Sequence, residues 1–156
     1  CLSLSKKTIE NTYCFQYTPS ETLEQKADLE QATEKDIKNI KTFLLNQIGF
    51  VDTIGYTESL IQREALYYIE QEQTIIATGE YRVSPSQSNI VDLGVIVNKA
   101  YRKKGIATNI LKTLAERALN KNKTPICSTT LDNMASKKAI ENAGFYCSHI
   151  IFDMSF

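Results

Sequence analysis

Residues 90–112 read IVDLGVIVNKAYRKKGIATNILK, and the fold can be argued outward from this stretch. Residues 90–97 are rich in β-branched side chains and bounded by polar ones, which predicts a buried strand. After them, apolar residues recur at helical spacing at Ile106, Ile110, Leu111, Leu114 and Ala118. The stretch therefore predicts a strand that passes through a short turn into an amphipathic helix.

The turn between this strand and this helix is basic. It contains Lys99, Arg102, Lys103 and Lys104 and enters the helix at Gly105. The N-terminus of a helix presents backbone N–H groups without partners and the positive end of the helix dipole. Since Gly105 has no side chain to obstruct those groups, the turn suits a phosphate or pyrophosphate. A solvated basic loop between a strand and a helix explains the same composition.

Residues 97–107 resemble the acyl-CoA loop of the GNAT superfamily of N-acetyltransferases. The family pattern is a strand ending in Val, followed by Arg or Gln-x-x-Gly-x-Gly or Ala. In this chain the pattern is carried by Val97, Arg102, Gly105 and Ala107. The family's Pro, two residues after the Val, is replaced here by Lys99.

A second motif lies downstream in the expected order. Asn133 and Ser136 form an Asn-x-x-Ser pair, and Gly144-Phe145 follows. The motif is similar to the family's Asn-x-x-Ala/Ser helix, which ends in Gly-Phe before the last strands. Two motifs with a strand between them are more specific than either alone, and the resemblance extends over roughly residues 66–150.

The resemblance implies an α/β (α+β) fold with a mixed, mostly antiparallel sheet of six to seven strands and about four helices. The patterns along the chain agree, since they predict a strand, two helices, three strands, a helix, a strand, a helix and a strand. We expect residues 31–156 to form one GNAT-like domain and residues 1–30 to be a leader or linker. Because the chain begins with Cys1 rather than Met, it is expected to be processed, trimmed or part of a longer protein.

Composition narrows the function classes. The chain has 156 residues, 18 basic and 18 acidic, and lacks an apolar run of the ~20 residues that span a bilayer. A formal net charge of zero argues against a general nucleic-acid binder. The four cysteines have no ligand-like spacing and there is one histidine, so no metal is expected. We expect a cytoplasmic protein with no membrane or nucleic-acid partner, either a monomer or a homodimer.

Charge is unevenly distributed along the chain. Residues 1–98 carry 8 basic and 14 acidic residues, a net −6, whereas residues 99–156 carry 10 basic and 4 acidic ones, a net +6. This distribution suits a protein that receives a polyanion on one half and a cation on the other. Chance placement of surface charge is the alternative.

The resemblance implies a site for acetyl-CoA. Backbone groups at the end of the strand would bind the pantetheine arm, and the N–H groups of the turn would bind the pyrophosphate. Asn133 would contact the pantetheine, although a helix N-cap is an equal alternative for it. The implied cofactor-binding residues are Val95, Ile96, Val97, Arg102, Lys103, Lys104, Gly105, Ile106, Ala107, Thr108, Asn133 and Ser136.

The implied reaction is transfer of an acetyl group to an amine, assisted by a carboxylate that accepts the amine proton directly or through water. The base candidates are Asp92 on the strand and Glu80 on its predicted neighbour, and a salt bridge to Arg82 or a lysine is the alternative for each. Many family members carry a Tyr as general acid seven residues after the Asn, where this chain has Ile140. Tyr146 is the nearby candidate, with core packing as its alternative.

The sequence therefore predicts an acetyl-CoA-dependent N-acetyltransferase acting on an amine of a small molecule or a protein. The alternative is a GNAT-fold domain that binds acyl-CoA as a sensor or regulatory domain without efficient catalysis. The replacement of the usual Tyr by Ile140 supports this alternative. The acceptor itself is not predicted.

Overall fold

The computed structural model describes residues 12–17, 27–130 and 134–151. In these ranges the chain forms seven strands and four α-helices. The elements in order are β1 (Thr12–Tyr17), β2 (Glu30–Gln31), α1 (Ile37–Ile48), α2 (Tyr56–Gln62), β3 (Leu66–Gln71), β4 (Thr74–Val83), β5 (Ile90–Val97), α3 (Ile106–Asn120), β6 (Thr124–Thr130), α4 (Met134–Asn142) and β7 (Phe145–Ile151). None of the helices in the described ranges has the length and apolar character needed to cross a membrane.

The strands form one sheet in the order β2-β3-β4-β5-β6-β1-β7. Every neighbouring pair is antiparallel except β5 and β6, which run parallel. A parallel pair needs a crossover connection, and α3 supplies it between β5 and β6. The predicted mixed, mostly antiparallel sheet with about four helices is therefore confirmed.

One face of the sheet packs against α3. Val91 and Leu93 of β5 are buried in the same cluster as Ile110, Leu111 and Leu114 of α3. The apolar periodicity of residues 90–112 produces this contact, because alternate residues of a strand face one way and helical residues at i, i+4 share a side.

The opposite face packs against α1 and α2. Ile96 of β5 lies in a second buried cluster with Ile40 and Phe43 of α1 and Leu60 of α2. Helix α1 ends at Gly49, whose φ of 67° lies in the left-handed region that glycine adopts readily. The sheet is thus covered on both faces, with β5 near its centre.

Strand β1 lies within the sheet rather than at its edge. It pairs antiparallel with both β6 and β7. Phe15 is 1% exposed and belongs to the core on the α3 side. The ring of Tyr17 contacts that of Phe145, with centroids 5.1 Å apart. Residues 12–17 therefore connect the last two strands of the chain.

Candidate active site

The pairing of β5 with β6 stops part-way along both strands. Among the described residues the register joins Ile90 to Thr124, Val91 to Pro125 and Asp92 to Ile126. Strand β5 continues to Val97 beyond this pairing, while residues 126–130 of β6 pair with β1 along the other edge of β6. We call the space between residues 93–97 of β5 and residues 127–130 of β6 the β5–β6 gap.

Alternate backbone groups of β5 point into this gap. The N–H of Asn98 donates to the carbonyl of Ile76, and the carbonyl of Ile90 accepts from Ser84, so even-numbered residues bond towards β4. By the two-residue period of a strand, the N–H and C=O groups of residues 93, 95 and 97 point the other way. Consistent with this, Nε of Arg102 donates to the carbonyl of Val97 at 3.4 Å. The edge of β5 thus offers strand-type hydrogen bonds to an extended ligand.

The turn that follows β5 leads to the N-terminus of α3. Gly105 precedes the helix with φ of 77°, and an added Cβ there would meet no atom within 4 Å. The first helical bond runs from the N–H of Asn109 to the carbonyl of Gly105. The N–H groups of Ile106, Ala107 and Thr108 come before it and therefore have no i−4 partner within the helix. The turn presents backbone donors beside open space.

The basic residues at this turn are exposed. Arg102, Lys103 and Lys104 lie at the surface, and Nζ of Lys104 stands over the ring of Tyr101 at 5.2 Å from its centroid. Lys103 has φ of 65°, a left-handed conformation that is uncommon outside glycine. The chain folds back sharply here, which brings the exposed cations and the start of α3 together.

Two of the predicted cofactor-binding residues, Asn133 and Ser136, belong to the region where α4 begins. Asn133 lies outside the described residues, and Ser136 lies on α4. The hydroxyl of Thr108 donates to the carbonyl of Ala139 at 3.2 Å, which ties the first turn of α3 to α4. Ile140, at the position of the family Tyr, is buried in the core.

Both predicted carboxylates lie on the α2 side of the sheet, next to each other. Glu80 of β4 is 3% exposed, and Nε of Arg82 stands 3.9 Å from its Oε1. The other end of the guanidinium, Nη2, lies 3.2 Å from Oδ2 of Asp92. The salt bridge weighed as an alternative for each carboxylate is therefore present in both. The two carboxylates nevertheless differ in exposure, since Glu80 is buried and the side chain of Asp92 is partly exposed.

The carboxylate of Asp92 is only half engaged. Its side chain is 39% exposed, and Oδ2 pairs with Arg82. Oδ1 is buried and has no hydrogen-bond partner in the part of the chain that the structure describes. Burial raises the pKa of Asp92 above its ordinary value, and the positive charge of Arg82 opposes this rise. Asp92 also lies in the last paired row of β5 and β6, where the gap begins.

Tyr56 on α2 completes the arrangement. Its hydroxyl donates to Oε1 of Glu80. Burial and the nearby charge of Glu80 raise the pKa of Tyr56, so the hydroxyl keeps its proton and acts as a donor. We call Tyr56, Glu80, Arg82 and Asp92 the quartet. Sequence reasoning missed Tyr56 because it lies 24 residues from Glu80 and no local spacing connects the two.

Tyr56 is itself held from two sides. The carboxylate of Asp52 accepts from the N–H of Tyr56 at 2.9 Å and from the N–H of Thr57 at 2.7 Å. The ring of Phe50 meets the ring of Tyr56 edge-on, with centroids 5.8 Å apart. Burial alone would raise the pKa of Asp52, but the hydrogen bonds from Thr57 and Tyr56 outweigh it and lower the pKa. The start of α2 is thereby fixed against the sheet.

Tyr146 is not brought to the carboxylates. It is 49% exposed on β7, and its hydroxyl donates to Oε1 of Gln16 at 2.7 Å. The register runs from Tyr146 through Gln16 and Ile126 to Asp92. Three strand spacings of ~4.8 Å therefore separate Tyr146 from Asp92, about 14 Å in all.

The mixed sheet, the α3 crossover and the motif at residues 97–107 define a domain of the acetyltransferase type. A family model described as the acetyltransferase (GNAT) family matches residues 21–145. The chain therefore belongs to the GNAT family of acetyltransferases, and the resemblance drawn from its motifs is confirmed. A search of curated protein sequences gave no match.

Solved structures agree with this assignment. An acetyltransferase of the GNAT family from Colwellia psychrerythraea superposes with a TM-score of 0.86 at 30% identity, over 90% of this chain and 54% of that one. The present chain thus spans about half the length of that relative. A GNAT-family acetyltransferase from Bacillus cereus gives 0.67 at 18% identity, over 81% of this chain and 87% of that one.

A third similar structure contains a ligand. AAC(6')-Iy, in complex with a bisubstrate analog of CoA and acetylneamine, gives a TM-score of 0.64 at 20% identity. The match covers 83% of this chain and 97% of that one. At this identity the likeness shows the fold alone.

Proposed function

We propose that this chain is an N-acetyltransferase that moves the acetyl group of acetyl-CoA to an amine. One observation carries the proposal. The unpaired edge of β5 leads from the N-terminus of α3 to Asp92, whose Oδ1 has no hydrogen-bond partner among the described residues. The unpaired edge of β5 could bind the cosubstrate, and the carboxylate of Asp92 could accept a proton from the amine.

The cosubstrate would lie along the β5–β6 gap on the α3 side. Backbone groups of Val95 and Val97 would bind the pantetheine arm as an added strand. The N–H groups from Lys103 to Thr108, with the charges of Arg102 and the two lysines, would bind the pyrophosphate. The open space at Gly105 fits this use, because a side chain there would stand between phosphate and amides.

The acceptor would approach from the α2 side of the sheet. The quartet contains two carboxylates and one guanidinium, so an amine entering as an ammonium meets an excess of negative charge. Removing a proton from an aliphatic ammonium, whose pKa is about 10.4, costs roughly 4 kcal/mol at pH 7. We assign that proton to the carboxylate of Asp92, whose side chain is 39% exposed, directly or through one water.

Bound acetyl-CoA supplies a thioester whose acetyl group passes to the neutral amine as the carbon–sulfur bond breaks. Asp92 prepares the amine and Glu80 keeps Arg82 in place. The nitrogen loses its second proton as the amide bond forms, and the leaving sulfur takes up one proton through the solvent, so that CoA leaves as a thiol. We propose a small molecule with several amines as acceptor, since one of the similar proteins is an aminoglycoside N-acetyltransferase whose structure holds a bisubstrate analog that contains acetylneamine. A protein amine is the second possibility.

A second candidate function rests on Ile140. A buried apolar residue where many family members carry Tyr favours a domain that binds acyl-CoA without efficient turnover. The two candidates share the cosubstrate site and differ in the use of Asp92. Release of CoA in the presence of amines separates them.

The cosubstrate site is tested by placing a carboxylate at Gly105. Aspartate tolerates the left-handed backbone better than most residues, so Gly105→Asp adds negative charge with little strain. Gly49→Asp is the matched control, because Gly49 also has positive φ and open space around it but closes α1. Saturation with acetyl-CoA at a hundred times Kd should stabilise the wild type by ~2.7 kcal/mol.

We expect a rise in Tm with acetyl-CoA for the wild type and for Gly49→Asp, and none for Gly105→Asp. Equal rises in all three proteins would remove the turn from the cosubstrate site. The absence of any rise in the wild type would contradict the acetyltransferase proposal as a whole. Assay of CoA release with a library of amines then identifies the acceptor class.

A further inference from the structure

The quartet divides its hydrogen-bonding capacity unequally. Glu80 accepts a hydrogen bond from the hydroxyl of Tyr56 and forms an ion pair with Nε of Arg82 at 3.9 Å, whereas Asp92 forms an ion pair with Nη2 of Arg82 through Oδ2 alone. Neither of these guanidinium nitrogens makes a hydrogen bond among the described residues. The result is one carboxylate with two partners and one with a buried oxygen left over. The side chain that produces this difference is Tyr56.

We propose that Tyr56 is a positioning residue for acetyl transfer, which keeps Arg82 on Asp92 by satisfying Glu80 and so leaves the carboxylate of Asp92 with one protein partner and able to accept a proton from the acceptor amine. This inference rests on the proposed function. Tyr56 touches neither substrate in it and acts through Glu80 and Arg82. The assignment comes from the contacts of α2 with β4 and β5.

The first step is the need of Glu80 for a donor. At 3% exposure its carboxylate is cut off from water, and a buried carboxylate without a donor is strongly unfavourable. Tyr56 supplies that donor, so Arg82 can remain 3.9 Å from Glu80 and 3.2 Å from Asp92. Without the hydroxyl, Arg82 is the nearest remaining donor and would move towards Glu80.

The second step is the effect on Asp92. Its charged and titratable neighbours are Arg82 and Glu80 from β4, Tyr56 from α2 through these two, and Cys14 from β1, whose pKa the charge of Asp92 helps to raise. Arg82 is the cation that favours the ionised form of Asp92. A movement of Arg82 towards Glu80 therefore destabilises the ionised form of Asp92. It also changes the position of the Arg82 side chain on the α2 side of the sheet, where the acceptor would bind.

The third step is the rigidity of Tyr56. The backbone N–H of Tyr56 donates a hydrogen bond to Asp52, and its ring packs edge-on against the ring of Phe50. Groups outside the quartet therefore hold the hydroxyl in one place. A donor that is fixed before substrate arrives costs nothing to order during the reaction. A residue that acts on the reaction only through its neighbours needs to be fixed in this way.

The test uses Tyr56→Phe, with Tyr68→Phe as its matched control. Tyr68 also donates its hydroxyl to carboxylates, to Glu30 at 3.0 Å and to Asp36 at 3.2 Å, but on β3 and away from Arg82. Both variants keep the aromatic ring and lose one hydroxyl. A purely structural role of such a hydroxyl would give the two variants similar losses of Tm and no other difference.

The primary measurement is the titration of the Asp92 side-chain carboxyl by carbon-13 NMR in the protein without ligands. We expect the pKa of Asp92 to rise by about 0.5 to 1 unit in Tyr56→Phe, because it loses part of its cation. It should stay unchanged in Tyr68→Phe. In a Glu80→Gln background Tyr56→Phe should add no further shift, because the link between them is gone.

The second measurement is the pH profile of kcat/KM. Its acidic limb should move to higher pH in Tyr56→Phe by the same amount, with KM for acetyl-CoA unchanged. An unaltered pKa of Asp92 in Tyr56→Phe overturns the inference whether or not the protein turns over, as does an equal shift in the Glu80→Gln background. A shift in Asp92 together with a wild type that releases no CoA refutes the proposed function and leaves the positioning of Asp92 by Tyr56 standing.

Discussion

Asp92 and Glu80 show how two equally plausible residues are separated by their contacts. Both stand on neighbouring strands and both pair with Arg82. Their positions were predictable from strand periodicity, since each falls on the polar side of an alternating strand. Their difference was not predictable, because it depends on the hydroxyl of Tyr56, which the chain brings in from another helix.

Asp92→Asn should abolish most of the proposed activity without affecting cosubstrate binding. General base catalysis contributes about 10²–10⁴-fold, so kcat/KM should fall by at least about 100-fold. In the wild type, activity should be lost as pH falls through a pKa that lies above the ordinary value of an aspartate. Steady-state kinetics across pH, with Kd for acetyl-CoA as the control, checks both statements. Retention of full kcat/KM would exclude Asp92 as the base.

Asp52→Ala should loosen the start of α2. Loss of a capping carboxylate costs about 1 kcal/mol of stability. Since the pKa of Asp52 is lowered in the folded protein, its contribution is present at neutral pH and is lost as pH falls through that lowered pKa. The difference in unfolding free energy between wild type and variant should therefore be largest near pH 7 and should shrink in acid. Urea titrations at several pH values measure it, and a difference that grows in acid would contradict the assignment.

Among the secondary-structure elements, the sequence pattern predicted those strands and helices that have one apolar side. The strand at residues 90–97 was predicted with its observed bounds, and the helix was predicted with its observed start at Ile106. The two-residue strand β2 was not, since two residues carry no periodicity. The end of β5–β6 pairing was not predicted either, because it depends on how two strands that are distant in sequence lie relative to each other.

Gly79→Ala tests the packing of α3 on β4. An added Cβ would stand 2.8 Å from Cγ2 of Ile110 and 3.2 Å from a methyl of Leu114. Both neighbours are fully buried, so the helix or the strand must shift, at a cost of about 1 to 3 kcal/mol. Urea unfolding measures this loss. A change below about 0.5 kcal/mol would mean that α3 is less tightly packed than described.

At the scale of the molecule, the family and the sheet were predictable and the place of the N-terminal segment was not. Residues 13–17 look like a strand in sequence, but nothing local says which strands they join. Pairing partners are set by the edges that the rest of the chain leaves open, and here β6 and β7 leave one slot between them. The identity of the acceptor is likewise a property of surfaces from several elements.

Phe15→Ala tests the importance of that slot. Removing a fully buried Phe costs about 3 to 5 kcal/mol, a large part of the stability of an ordinary domain. Gln16→Ala, one residue along, removes only a half-exposed side chain that accepts from Tyr146 and should cost about 1 kcal/mol or less. Urea unfolding of the two variants measures the contrast. Equal losses of unfolding free energy in the two variants would show that the buried side chain of Phe15 contributes little to stability.

The position of β1 also has a consequence for how the chain reaches its fold. The partners of residues 12–17 begin at Ile126 and Phe145, so more than a hundred residues must be made before this strand can pair. Because such distant contacts slow folding, we expect closure of the sheet to be a late event. At high protein concentration, the same strand of a second molecule competes for this position between β6 and β7. Refolding at high concentration should therefore produce exchanged dimers that dilution alone releases slowly.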